Sequence, residues 1–262
     1  MNKLILSDEE IKLEESDDFI EVTISDKFDV FDITKIKVLV KESTNLKIKH
    51  KIKKESKIDI TFELEPNVSL NVLDFKEGKD LKNQYRYYLK DNSYLNIIKF
   101  YDCDNIKELD LVNLNGYNAK IDYNLKTISK KKQNFDFMVY HNYPNTISNI
   151  IHNGVNINDG ILSFNLTGIV YNNITNCVLD QNSRIVTFNE NKCNINPNLL
   201  IEENDVVANH SALIGKFSDE ELFYLQSRGI PKKIALNLLV KGFLLEGIDN
   251  EEIIKTIDKY WR

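Results

Sequence analysis

The sequence predicts a mainly β body of many short strands followed by a small helical end. Three observations carry this. Apolar and polar residues alternate in set after set through most of the chain, and turn-forming residues separate the sets. Beyond about residue 216 the apolar spacing changes from two to the three-and-four pattern of helices.

Taken in order, Ile20, Val22 and Ile24 alternate with polar neighbours, as do Ile36, Val38 and Val40. The pattern returns at Leu46, Ile48, His50 and Ile52, at Ile58, Ile60, Phe62 and Leu64, and at Val68, Leu70 and Val72. A period of two puts each set on one side of a strand. Between them lie Ser43-Thr44-Asn45, Glu55-Ser56 and Glu65-Pro66-Asn67, all turn formers. Farther on, Leu109 and Leu111, then Ile121, Tyr123 and Leu125, then Leu162, Phe164 and Leu166 continue the alternation. The last set should point into the core, with Gly160 and Gly168 as the corners that bracket it. Spacing of this kind suits a sandwich, a barrel or a solenoid.

Asparagine marks many of the breaks: Asn142-Tyr143-Pro144-Asn145, Asn158-Asp159-Gly160, Asn172-Asn173 and Asn189-Glu190-Asn191. Asparagine tolerates left-handed backbone, so repeated asparagine corners fit a solenoid well. The run Lys126–Phe135, KTISKKKQNF, reads as a solvated strand or turn.

The helical end opens with a clear signal. Ser218 is a good N-cap and Glu221 completes a capping box. Asp219, Glu220 and Glu221 set negative charge at the positive end of the helix dipole. This helix should run over 219–228 and stop at Gly229. Pro231 suits the first turn of a second helix, where Ile234, Leu238 and Ala235, Leu239, Phe243 give one broad apolar face ending at Gly247. A third helix should start near Asp249.

Composition narrows the function classes. Of the 262 residues, 42% are hydrophobic and 28% charged, enough to bury a sizeable core. A net charge of −6 argues against a general nucleic-acid binder. Cys103, Cys177 and Cys193 are odd in number and widely spaced, which disfavours a disulfide framework or a structural zinc site. The N-terminus turns acidic after only a few apolar residues, unlike a secretory signal. No apolar run approaches the ~18–20 residues that span a membrane. A cytoplasmic chain is expected. Phosphate-loop, nucleophile-elbow and zincin motifs are absent from the sequence.

Specific motifs stand toward the C-terminus. Asp205-Val206-Val207-Ala208-Asn209-His210-Ser211-Ala212 is followed by Phe223-Tyr224-Leu225, by Ser227-Arg228-Gly229-Ile230 and by Gly242-Phe243. Upstream come Asn145-Thr146-Ile147-Ser148, Gly154-Val155, Gly168-Ile169-Val170 and Gln181-Asn182. In this order they resemble the SufB/SufD family, scaffold proteins of iron–sulfur cluster assembly. The resemblance implies a right-handed parallel β-helix over 19–215 and a C-terminal α-helical domain over 216–262. Residues 1–18 would be an N-terminal arm, in place of the family's longer N-terminal helical region. The place of the SufB-like cysteine is held by Asn182, and that of the glutamate after the histidine by Ser211. Both point to the SufD-like branch. Cys177 and Cys193 lie off that register.

The same resemblance implies a scaffold, not an enzyme. It would pair with a SufB-like subunit, or with itself, through the end of the β-helix. A SufC-like ABC ATPase would dock on the C-terminal helices, with Phe223, Tyr224, Arg228, Leu238 and Phe243 as candidate contacts. His210 becomes the candidate ligand or sulfur-handling residue at the subunit interface, because imidazole binds iron and titrates near neutrality. An iron–sulfur cluster would be held transiently and shared with the partner. His50, His141 and His152 read as structural, as do the three cysteines. Two alternatives stand beside this. One is a β-helix carbohydrate-active enzyme, with Asp159 and Asp180 as candidate carboxylates. The other is a purely structural dimerisation partner.

Overall fold

Alternating sequences form strands, and here the strands stack into coils. The computed structural model describes residues 34–52, 55–157, 159–188, 192–248 and 250–260, together with short strands within the first 24 residues. The chain begins with β1 (Leu4–Leu6), β2 (Glu9–Glu10), β3 (Glu15–Ser16) and β4 (Phe19–Ile24). There follow β5 (Thr34–Val40), β6 (Thr44–Ile52), β7 (Ser56–Leu64), β8 (Ser69–Leu89) and β9 (Tyr94–Leu114). Then come β10 (Lys120–Ser129), β11 (Lys132–His141), β12 (Ile147–Asn156) and β13 (Ile161–Val170). β14 (Cys177–Thr187), β15 (Asn194–Ile201) and β16 (Val206–Gly215) complete the β body. Three helices close the chain: α1 (Asp219–Ser227), α2 (Lys232–Leu244) and α3 (Glu251–Asp258).

The pairing is that of a parallel solenoid of about six turns. One sheet stacks β4, β6, the first half of β8, the first half of β9, β10, β12, β14 and β16, all parallel. The other stacks β5, β7, the second halves of β8 and β9, β11, β13 and β15, also parallel. Each coil gives one segment to each sheet. β8 passes from one sheet to the other at Gly78, whose φ of 139° lies in the range that favours glycine. At the start of the solenoid β1 runs antiparallel to β5, and β3 antiparallel to β4.

The asparagine corners have a physical basis. Asn67, Asn92, Asn118 and Asn145 all adopt positive φ, from 52° to 63°. They stack coil on coil: the Asn92 Nδ2 donates to Asn67 Oδ1 at 3.0 Å, and Asn118 Nδ2 to Asn92 Oδ1 at 2.8 Å. Their backbone N–H groups donate to carbonyls of the next coil, as Asn67 does to Asp91. An amide both accepts and donates, so it can pass the ladder from coil to coil, which an acceptor-only aspartate could not. The corners at Asn158 and at 189–191 lie outside the described residues, as does Asp249.

The solenoid interior contains Phe62, Leu95, Ile121, Leu162, Phe164 and Leu166, each with no more than trace exposure. Phe164 thus points inward as its alternation requires. Gly168, however, is no corner. It lies within β13 facing inward, where a Cβ would come within 2.8 Å of Leu179 Cδ2 and 3.0 Å of Gln181 Nε2. Close packing between the two sheets is what demands glycine there.

Sequence phase misleads at one point. Leu109 and Leu111 face outward, half-exposed, while Glu108 and Asp110 face inward. The interior of the middle coils is accordingly ionic. Lys99 Nζ lies 2.9 Å from Glu108 Oε1 and 2.6 Å from Asp110 Oδ1. The Tyr123 and Tyr87 hydroxyls donate to Asp110 at 3.0 and 3.1 Å. Lys76 bonds Asp74, Tyr85 and Tyr101 in the neighbouring layer. Buried charges are tolerated only when paired and hydrogen-bonded in this way.

Helices α2 and α3 flank the first sheet, and α1 packs on α2. Val240, Leu244, Ile253 and Ile257 pack with Phe75, Phe100, Ile128 and Val155 from the outer side of that sheet. Lys49 to Glu252 at 2.8 Å and Tyr260 Oη to Asp102 at 2.6 Å tie α3 and the turn after it to the coils. Lys126, read from sequence as part of a solvated run, is instead covered here. Its ammonium donates to the Glu246 carbonyl at 2.8 Å, and burial pushes its pKa down to about 8.

Asp110 gives a pH prediction. Burial, then the neighbouring Glu108 charge, raises its carboxyl to about 7 against the pull of Lys99. A folded value above the unfolded ~4 means that folding takes up a proton. The contribution of Asp110 to stability is then fully present below about pH 4 and is lost as pH rises through about 4 to 7. Urea midpoints at several pH values should show this slope in the native chain and a shallower one in Asp110→Asn, which keeps a group able to bond Lys99. Equal slopes would contradict the assignment.

Candidate functional site

The last coil is open. Among the described residues β16 pairs with β14 alone and β15 with β13 alone, so each presents an unpaired edge. This end also exposes apolar side chains. Leu200, Val207 and Leu213 are each more than half exposed, and Ile214 nearly so.

His210 sits in the middle of β16 and is exposed. Its direction follows from register. In parallel in-register pairing, partners share a side of the sheet, and His210 pairs with Gln181. The row runs Leu46, Val72, Ile97, Tyr123, Ile150, Gln181, His210. Every member before His210 is buried in the solenoid interior. His210 is therefore the inward-facing member of the row, exposed because no further coil lies over it.

Below it the interior is polar. Gln181, Ser183 and His152 are each 1% exposed, and Ser183 pairs in register with His152. Both amide atoms of Gln181, the Ser183 hydroxyl and His152 Nδ1 have no hydrogen-bond partner. Burial, aided by the charge of Lys99, lowers the His152 pKa to about 3 and keeps its ring neutral. Sequence reading gave His152 a structural role, noted Gln181 only as part of a motif, and passed over Ser183. The signal was available in parity, since Gln181 and Ser183 share the phase of Leu179 and Ile185.

Among the described residues the other buried histidine, His141, is satisfied. Its Nδ1 lies 2.7 Å from Thr146 Oγ1 and its Nε2 2.9 Å from Ser148 Oγ. The Cys177 thiol is buried 3.3 Å from Thr146 Oγ1. Burial pushes the Cys103 thiol well above the usual range. Cys193 is half-buried, 3.2 Å from Asn156 Nδ2, and its thiol is also raised. None of the three has the exposed, electropositive setting of a reactive thiolate. Asn182 and Ser211 pair with each other on the outer side of the same sheet. Among the described residues no group of three or more His, Cys, Asp or Glu could hold a metal ion. Asp180 projects outward from β14, and Asp159 lies at the exposed corner before β13.

A second candidate surface lies on the helices. Both halves of the capping box form: Glu221 N–H donates to Ser218 Oγ at 3.1 Å, and Ser218 N–H to Glu221 Oε2 at 2.9 Å. α1 has no buried residue and exposes Phe223 (72%) and Tyr224 (59%). The Arg228 guanidinium lies 5.4 Å from the Tyr224 ring centre. α2 splits the single apolar face expected of it. Ala235, Val240 and Leu244 are buried, whereas Ile234 (51%) and Leu238 (44%) face solvent. Phe243 is half-buried and meets Phe217 edge-on, with Arg184 5.3 Å above its ring. It belongs to the packing that holds α2 to the solenoid rather than to the exposed strip. Ile234, placed on the apolar face from sequence but not among the docking candidates, belongs to that strip. No helix among the described residues is long and apolar enough to cross a membrane.

The comparisons agree with this geometry. The description "SUF system FeS cluster assembly, SufBD core domain" matches residues 72–243, about two thirds of the chain and most of its solenoid. The chain is 32% identical over 161 residues to the iron–sulfur cluster assembly protein SufD of Bacillus subtilis, covering 60% of this chain and 36% of that relative. An iron–sulfur cluster assembly SufBD family protein of Mycobacterium tuberculosis is 53% identical over 51 residues, 19% of this chain and 13% of the relative. One from Pyrococcus horikoshii is 46% identical over 48 residues, 18% and 11% of the two chains. The matched stretches thus span about a third or less of these relatives' lengths. With the SufBD core running through the coils that carry His210, this chain belongs to the SufB/SufD family.

Proposed function

We propose that this chain is a SufD-like scaffold subunit in cytoplasmic iron–sulfur cluster assembly. The observation that carries the proposal is His210 at the mouth of the solenoid, inward-facing on a strand whose outer edge is unpaired. A second β-helix, from a SufB-like subunit or another copy of this chain, would add its own terminal strand there. It would cover Leu200, Val207 and Leu213, and bring further ligands to the single imidazole. The nascent cluster is cargo on this account, held between two subunits and passed on.

The exposed strip of Phe223, Tyr224, Ile234 and Leu238, with Arg228 beside it, is the proposed docking site of a SufC-like ABC ATPase. Interfaces of ordinary size bury about 800 Å² per partner around a few aromatic anchors. Because α2 and α3 cover Phe75, Phe100 and Val155, removing the whole helical end would uncover the flank of the first sheet. Point changes are the cleaner test. Phe223→Ser with Tyr224→Ser alters only exposed side chains. It should leave thermal stability within about 1 kcal/mol and weaken capture of a SufC-like ATPase at least tenfold by titration calorimetry. Unchanged affinity would move the docking site elsewhere.

His210→Ala tests the cargo role. In a reconstituted complex of correct stoichiometry, it should lower the rate of cluster formation followed by visible absorbance, without loss of subunit association. Normal cluster formation in that complex would leave this chain a structural partner, with the chemistry on the other subunit.

A further inference from the structure

We propose that Gln181, Ser183 and His152 hold ordered water inside the last closed coil, and that this water fixes the tautomer of the His210 ring. The importance of that ring for cluster assembly rests on the function proposed above; the water site itself does not.

Three observations meet here. Gln181, Ser183 and His152 are each 1% exposed, yet four of their polar atoms lack any partner. Leaving a buried donor or acceptor unmet costs about 1–3 kcal/mol, so four such atoms together would weigh heavily on a marginal fold. The groups also adjoin one another. Ser183 is the register partner of His152, and Gln181 lies two residues before Ser183 on the same inner side. Finally, they are complementary. The amide both donates and accepts, the hydroxyl does likewise, and the neutral imidazole offers one of each. A water molecule needs two to four polar partners in such a setting, and this layer supplies them.

The wall opposite is made for it. Gly168 faces the Gln181 amide from the second sheet, and a Cβ there would stand 3.0 Å from Nε2. The amide packs directly against that backbone, which holds it within the interior layer. His210 is the next member of the Gln181 row, one strand spacing of about 4.8 Å farther on. Water bound to Gln181 is then in position to bond whichever ring nitrogen of His210 turns inward. That leaves the other nitrogen for a metal or sulfur species. Gln181 and Ser183 act in this scheme as positioning residues, touching no cargo themselves.

The test uses the full chain without partner, iron or sulfide, so its failure is separable from failure of the scaffold assignment. A high-resolution crystal structure should show ordered water within hydrogen-bond distance of at least two of Gln181, Ser183 and His152. Its absence overturns the proposal. Gln181→Met with Ser183→Ala, which removes three of the four orphan atoms at nearly constant shape, should abolish that water without raising the urea midpoint. A rise in midpoint would mean the layer was dry and overturns it as well. Long-range nitrogen-15 spectra should show one dominant His210 tautomer in the native chain and a mixture in the double variant. Rescue is expected from Ser183→Thr, which retains the hydroxyl. An unchanged tautomer ratio in the double variant overturns the link to His210.

Discussion

In-register parallel stacking is the constraint on which everything else here depends. Once Val72 sits on Leu46 and Ile97 on Val72, the row continues without choice to Gln181 and His210. Every inward residue must suit the one above and below it. Where the rows are apolar, as around Phe62, Leu95 and Phe164, stacking is simple burial. Where a polar residue enters, it must find partners within the same interior. Lys99 does so by drawing on Glu108 and Asp110 across the coil, with Tyr123 and Tyr87 completing the shell. The same constraint leaves the Gln181 amide, the Ser183 hydroxyl and His152 Nδ1 without a hydrogen-bond partner from the chain.

A stack of coils has two ends and two flanks, and each is treated differently. The starting end carries antiparallel strands β1 and β3. The flank of the first sheet is sealed by α2 and α3, whose isoleucines and leucines meet Phe75 and Phe100. The far end carries no such cover among the described residues. There β15 and β16 keep their free edges and show Leu200, Val207 and Leu213 to solvent. A lone edge of that kind is a template for another strand. The chain from β16 passes straight into Phe217, which packs on Phe188 and Phe243 and under Arg184. The candidate interface and the candidate ATPase-docking helices are thus joined by a few packed residues.

Much of this was legible beforehand. Alternation placed Ile58, Phe62 and Phe164 inside, asparagine foretold the corners, and Ser218 with Glu221 foretold the start of α1. What local pattern could not show was phase across a bend. β9 continues inward at Ile106 after its turn, which sends Leu109 out and Glu108 in. Only the register with β8 and β11 decides that. The covering of Lys126 and Phe243 likewise depends on helices about 120 residues away or on the far side of a strand. His210 was found through its motif. Parity marks Gln181 and Ser183 as inward, but only the pairing of β12 with β14 sets His152 beside them.

On the function proposed above, the open end of the solenoid is where this subunit would meet its partner. Hydrogen exchange on β15 and β16 reads this out, because among the described residues neither strand is paired along its outer edge. Mixing with a SufB-like subunit, or raising concentration where the chain self-pairs, should slow exchange at Val206–Gly215 and Asn194–Ile201 while β10 and β11 stay unchanged. Association that leaves both terminal strands exchanging as fast as before, or protects the outer side of β11 instead, would contradict the account.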